Sequence, residues 1–126
     1  MQIKTYIVED SPTIRDNLIA TLEELTGVIT AGTAETEIEG VVWLTNSNNR
    51  WDLAIVDLFL KQGSGLGVLA ACKHRLPNQK VIVLSNYATT EIRKQCALLG
   101  ADAVFDKSTE IEELLAYCMN LSNSPS

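Results

Sequence analysis

Five side chains able to do phosphorus or metal chemistry sit at or just past the ends of apolar runs. Glu9 and Asp10 follow Thr5-Tyr6-Ile7-Val8, Asp57 follows Leu53-Ala54-Ile55-Val56, and Ser85 follows Val81-Ile82-Val83-Leu84. Lys107 comes one residue after Ala103-Val104-Phe105. If these runs are parallel strands, all five side chains converge at the sheet edge where open α/β folds bind ligands. Three carboxylates, a hydroxyl and an ammonium in one cleft suit a divalent cation and a phosphoryl group. Hard carboxylate oxygens from Glu9 and Asp10 match Mg²⁺, which takes few protein ligands. Asp57 ends a run so apolar that its charge needs a partner or a metal against desolvation, and Lys107 supplies a positive charge that can pair with it or hold a phosphoryl oxygen. A carboxylate so placed can attack phosphorus and form an acyl phosphate. Taken singly, each residue has a plain role: a solvated acidic loop, a capping aspartate, a turn serine, a surface lysine. The argument lies in the set and its order.

Positioning these groups requires alternating strands and helices, and the hydrophobic pattern supplies them. Residues 3–8 read as the first strand. Ser11-Pro12 is an N-cap followed by proline at the first helical position, and Ile14, Leu18, Leu22 and Leu25 then recur at helical spacing. That predicts a helix over 12–26, stopped by Gly27. Val28 to Thr33 is a weaker strand. A second helix is marked by Ile38, Val41, Val42 and Leu44, with Gly40 interrupting it. The third strand runs to Val56. The turn Gly63-Ser64-Gly65-Leu66-Gly67 leads to a helix marked by Leu66, Leu69, Ala70 and Cys72. Strands over 80–84 and 103–106 bracket a helix over 89–99 that stops at Gly100. A last helix covers 109–120, with Ile111, Leu114, Leu115 and Cys118 on one face. Five β-then-α units with short connections imply a parallel sheet with helices on both faces. Residues 1–121 form one domain and 122–126 a flexible polar tail.

The composition bounds the function. The 126 residues are 46% hydrophobic with a formal net charge of −6, and no basic run is present. A direct nucleic-acid partner is therefore not expected. No apolar segment is long enough to span a membrane and the N-terminus lacks a signal-peptide layout, so a cytoplasmic location is the expectation. Cys72, Cys96 and Cys118 are far apart without metal-ligand spacing. They read as small buried hydrophobes.

The motifs resemble the receiver domain of two-component response regulators over residues 3–120. The pieces are Tyr6-Ile7-Val8-Glu9-Asp10-Ser11, Ile55-Val56-Asp57-Leu58-Phe59-Leu60 with Gly63-Ser64-Gly65, Val81-Ile82-Val83-Leu84-Ser85, and Gly100-Ala101-Asp102 leading to Lys107. The resemblance implies a flavodoxin-like (βα)5 fold, doubly wound, with strand order 2-1-3-4-5. It implies that Asp57 is the phosphoacceptor. Glu9 and Asp10 would bind Mg²⁺ together with an Asp57 oxygen and the backbone carbonyl of Phe59. Ser85 would move to the phosphoryl group and Lys107 would pair with it. The implied partners are a sensor histidine kinase or histidine phosphotransfer protein, and a downstream protein target or output domain in a phosphorelay. The leading reading is a stand-alone receiver working through protein contacts, with a piece of a longer regulator as its close variant.

The chain departs from the family pattern at three places. Ser108 follows Lys107 where many receivers have proline, often cis. Lys61-Gln62 stands where many have Pro-Gly. Val104 occupies the usual aromatic switch position, with Phe105 beside it, so switching by an aromatic flip is not expected. Two other classes compete. A phosphatase of the haloacid dehalogenase type needs an acid two residues past its nucleophile, and Phe59 stands there. A flavin- or nucleotide-binding flavodoxin-like protein needs a glycine- or hydroxyl-rich phosphate loop after strand one, where Glu9-Asp10-Ser11-Pro12 repels phosphate unless a metal intervenes.

Overall fold

The computed structural model describes residues 2–123. Its elements alternate along the chain as β1 (Lys4–Val8), α1 (Pro12–Thr26), β2 (Ile29–Ala34), α2 (Glu37–Leu44) and β3 (Leu53–Val56), then α3 (Gly65–Ala71), β4 (Lys80–Ser85), α4 (Thr90–Leu98), β5 (Ala103–Asp106) and α5 (Ile111–Asn123). The strands form one sheet in the order β2-β1-β3-β4-β5, with every pairing parallel. The central strands are apolar because crossover helices cover both of their faces. Period-two alternation then sorts their side chains between two cores. Tyr6, Val8, Ala54, Val56, Val81 and Val83 pack with Leu44, Val68, Leu69 and Cys96 of α2, α3 and α4. Ile7, Leu53, Ile55, Ile82 and Leu84 pack with Leu22 of α1 and with Leu114 and Cys118 of α5.

The helix starts follow from local chemistry. The Ser11, Thr36, Ser64 and Thr89 side chains accept amides of the first turns of α1 to α4, satisfying donors that a helix end leaves open. Gly27 closes α1 in the left-handed region at φ 76°. Gly40 does not interrupt α2. It is the buried point at which the helix meets the sheet, because a Cβ there would come within 3.1 Å of Val8 Cγ2. Of the four apolar side chains that marked this helix, Leu44 is buried and Val41 packs against the core, whereas Ile38 (75% exposed) and Val42 (63%) face the other way. At the C-terminus, α5 carries Ser122 and Asn123 inside the helix, two residues into the segment expected as tail. Residues 124–126 lie outside the described residues.

All three cysteines are free and buried. Burial raises the Cys72 and Cys96 thiols and pushes Cys118 up to about 12. Among the described residues no peptide bond is cis, the Lys107–Ser108 bond included.

Candidate functional site

The strand order reverses direction between β1 and β3, and the crevice beyond their C-terminal ends is where such sheets bind ligands. Register alignment of Val8 with Val56 places Glu9 beside Asp57. The two are also tied through the backbone, since the Asp57 amide donates to the Val8 carbonyl at 3.0 Å. Lys107 arrives from the end of β5, its own amide held by the Ser85 carbonyl at 2.9 Å. Its Nζ donates to Glu9 Oε1 at 2.6 Å and to Asp57 Oδ2 at 3.0 Å. Thus one ammonium joins two carboxylates, both of which are buried.

The electrostatics follow from that burial. Desolvation is the largest influence on Glu9 and raises its pKa. Hydrogen bonds from Lys107 and the Ser11 amide oppose this rise, and the Asp57 charge adds to it. For Lys107, burial alone would lower the pKa. The bonds to Glu9 and Asp57, with the charges of both, outweigh it and leave the amine above its ordinary value. Lys107 is therefore an ammonium at neutral pH.

Asp10 is half-buried and is turned to the loop between β3 and α3, where its Oδ2 accepts the Lys61 amide at 2.7 Å. Glu9, Asp10 and Asp57 nevertheless each offer a carboxylate oxygen within 4.8 Å of the others. Three hard oxygens that close suit one small divalent cation. Phe59 lies in the same loop, its amide 3.3 Å from Asp57 Oδ1 and its backbone bridged to Ser64. The residue is 55% exposed, and its ring meets the ring of Tyr87 edge-on at 5.5 Å. Ser85 is fully buried at the end of β4, and its Oγ accepts the Tyr87 amide at 3.2 Å.

Two loop devices were not visible in the sequence reading. Asp106 Oδ1 accepts the Ser108 amide at 2.8 Å, the Ser108 hydroxyl at 2.6 Å and the Thr109 amide at 3.2 Å. These bonds, led by the Ser108 hydroxyl, hold the Asp106 carboxyl below the usual range. They shape the loop after Lys107 without proline. An aspartate followed two and three residues later by serine and threonine was the available signal. The second device is Arg93, on α4. It donates to the Ala88 carbonyl at 2.9 Å, to the Val104 carbonyl at 3.0 Å and to Glu110. Val104 itself packs into the core on the α2–α4 side. Phe105 turns to the other core, against Tyr117.

The sequence profile of the response regulator receiver domain matches residues 5–118. The chain belongs to that family. Receiver domains are phosphoacceptor modules of signal transduction, and the five-stranded order found here is theirs. Membership sets the chain apart from the dehalogenase-type phosphatases and from flavin binders. Among curated relatives, a putative transcriptional regulator of Pseudomonas aeruginosa is 30% identical over 112 residues, 89% of this receiver and 53% of that protein. A cyclic di-GMP phosphodiesterase of Thermotoga maritima is 38% identical over 63 residues, 50% of this chain and 17% of that protein. The receiver thus spans about half, or less, of the length of these relatives. The receiver domain of the Francisella response regulator 1452 superposes with a TM-score of 0.80 at 24% identity, covering 94% of this chain and 95% of that one. A Burkholderia pseudomallei response regulator with a phosphorylated aspartic acid, calcium ion and citrate gives a TM-score of 0.76 at 26% identity, covering 94% and 69%. Among the described residues, no helix is long and apolar enough to cross a membrane.

Proposed function

We propose that Asp57 accepts a phosphoryl group from a phosphohistidine of a sensor kinase or phosphotransfer protein, in a Mg²⁺-dependent reaction. A carboxylate oxygen of Asp57 bonds to phosphorus, the P–N bond breaks, and its electron pair stays on the imidazole nitrogen. The observation that carries this reading is the convergence on Asp57: Lys107 Nζ lies 3.0 Å from its Oδ2, and Glu9 and Asp10 complete a cluster within reach of one cation. The relative with a phosphorylated aspartic acid and a calcium ion supports it.

Each residue then has a task. Glu9, Asp10 and Asp57, with the Phe59 carbonyl, would hold Mg²⁺. The cation supplies positive charge against the phosphoryl oxygens, which three carboxylates would otherwise repel. Lys107 holds Asp57 before transfer and neutralises a phosphoryl oxygen after it. The Ser85 hydroxyl uses its oxygen as an acceptor for Tyr87, which leaves its proton to donate to the phosphoryl group. Movement of Ser85 would carry the loop through Asn86, Tyr87 and Ala88, and so alter the surface presented to a downstream protein or output domain.

The test is mass measurement after treatment with a small phosphodonor and Mg²⁺. One phosphoryl group should add to the wild type. Asp57→Asn should take up none, because an amide is no nucleophile, and EDTA should block the wild type. Labelling that persists in Asp57→Asn would sink the assignment.

A further inference from the structure

A carboxylate outside the acidic cluster reaches the loop between β3 and α3. Glu37, the first residue of α2, is half-buried, and its Oε1 accepts the Ser64 amide at 2.8 Å. Its own amide donates to the Gln62 carbonyl at 3.2 Å, so α2 grips the loop by backbone and side chain together. Ser64 is bridged to Phe59, and the Phe59 amide faces Asp57 Oδ1. Contacts therefore run unbroken from Glu37 to Asp57. The loop is cut to fit this carboxylate. A side chain at Gly63 or Gly67 would collide with Glu37, and Gly63 also holds a φ of 84°.

Glu37 is not needed to cap its own helix. Thr36 Oγ1 accepts the Glu39 amide, and Glu39 Oε1 accepts the Thr36 hydroxyl, each at 3.2 Å. The loop has a second carboxylate anchor in Asp10, through the Lys61 amide. Asp10 is itself a member of the acidic cluster, so that anchor is shared with the cation site, whereas Glu37 lies outside the cluster and tethers only the loop.

We propose that Glu37 is a positioning residue for the divalent-cation site. It holds the β3–α3 loop, and with it the Phe59 backbone, in place beside the cluster. This rests on the reading of Glu9, Asp10 and Asp57 as a cation site.

The test is a Mg²⁺ titration of the full chain, followed by NMR with amide hydrogen exchange, on wild type, Glu37→Ala and Glu37→Gln. In the wild type, Ser64 should be protected from exchange both without Mg²⁺ and at saturating Mg²⁺. Glu37→Ala keeps helix propensity and the Thr36 cap, so it should fold. It should expose Ser64 to exchange and weaken Mg²⁺ binding about tenfold, the lower end for a group that orients a metal ligand. Glu37→Gln keeps an acceptor oxygen and should restore both properties to near wild type. Unchanged Mg²⁺ affinity in Glu37→Ala, or a Gln variant as weak as the Ala variant, overturns the role of Glu37 alone. A wild type that takes up no Mg²⁺ overturns the cation site, and this proposal with it.

Discussion

Deleting the Lys107 ammonium gives the sharpest test of the site's electrostatics. Lys107→Met keeps an unbranched apolar stem of nearly the same length. It strands two carboxylates whose side chains are only 4% (Glu9) and 10% (Asp57) exposed. Removing one partner of a buried ion pair typically costs about 3–5 kcal/mol, because the remaining charge is left desolvated. The lower end applies here. The cluster lies at a sheet edge, and Glu9 can respond by taking up a proton. A loss of about 3 kcal/mol corresponds to roughly 10 °C in Tm for a domain this size. Mg²⁺ should do more for the variant than for the wild type, since no ammonium then competes for Glu9 and Asp57. At a hundred times its Kd it would restore about 2.7 kcal/mol. The pH dependence has a defined sign. A carboxyl whose folded pKa is raised contributes stability below its unfolded pKa and loses it as pH rises through the folded value. The deficit of Lys107→Met should therefore be smaller at pH 5 than at pH 8. The assay is thermal denaturation in EDTA and in Mg²⁺ at both pH values. A variant as stable as wild type in EDTA, or equal Mg²⁺ shifts in the two proteins, would refute the reasoning.

Other outcomes follow from named contacts. The aspartyl phosphate should be long-lived, because Phe59 and Tyr87 place rings rather than water-orienting carboxylates or amides beside the site. The double variant Phe59→Asn with Tyr87→Glu should shorten its lifetime by a factor on the order of ten to a hundred, read as loss of the phosphorylated mass after donor removal. Phosphorylation should shift the Tyr87 amide resonance, since its acceptor is the Ser85 oxygen; an unmoved 85–90 loop would rule out switching through Ser85. Glu110, held below its usual pKa chiefly by Arg93 and the Asp106 amide, contributes stability above its unfolded pKa that is lost as pH falls. Glu110→Gln should therefore flatten the acid limb of the stability curve, and an unchanged limb would show that the pair does not stabilise the fold. Cys72, Cys96 and Cys118 should resist thiol reagents at neutral pH until denaturant is added, because burial keeps them protonated and inaccessible.

Strand and helix order was legible because it depends on local periodicity. Val81 to Leu84 is apolar throughout because helices cover both faces of its strand, and Ser11-Pro12 and Gly27 bound α1 by capping chemistry that acts over a few residues. The five candidate residues could be singled out as a set because each stands at or just past the end of such a run, and Asp57 was foreseeable as a partner for Lys107. The bond from Lys107 to Glu9 and the contacts of the loops were not. Lys107 bonds Glu9 across 98 positions and Asp57 across 50, and Glu37 reaches Ser64 across 27. Such pairings depend on strand register and on where loops come together, and no local pattern encodes either. Gly40 shows the same division. Along the sequence it is a residue that weakens a helix; against Val8 it is what lets α2 approach the sheet. Residue types and their spacing therefore determined which chemistry the chain can hold, whereas close packing between distant segments decided which oxygen each donor meets.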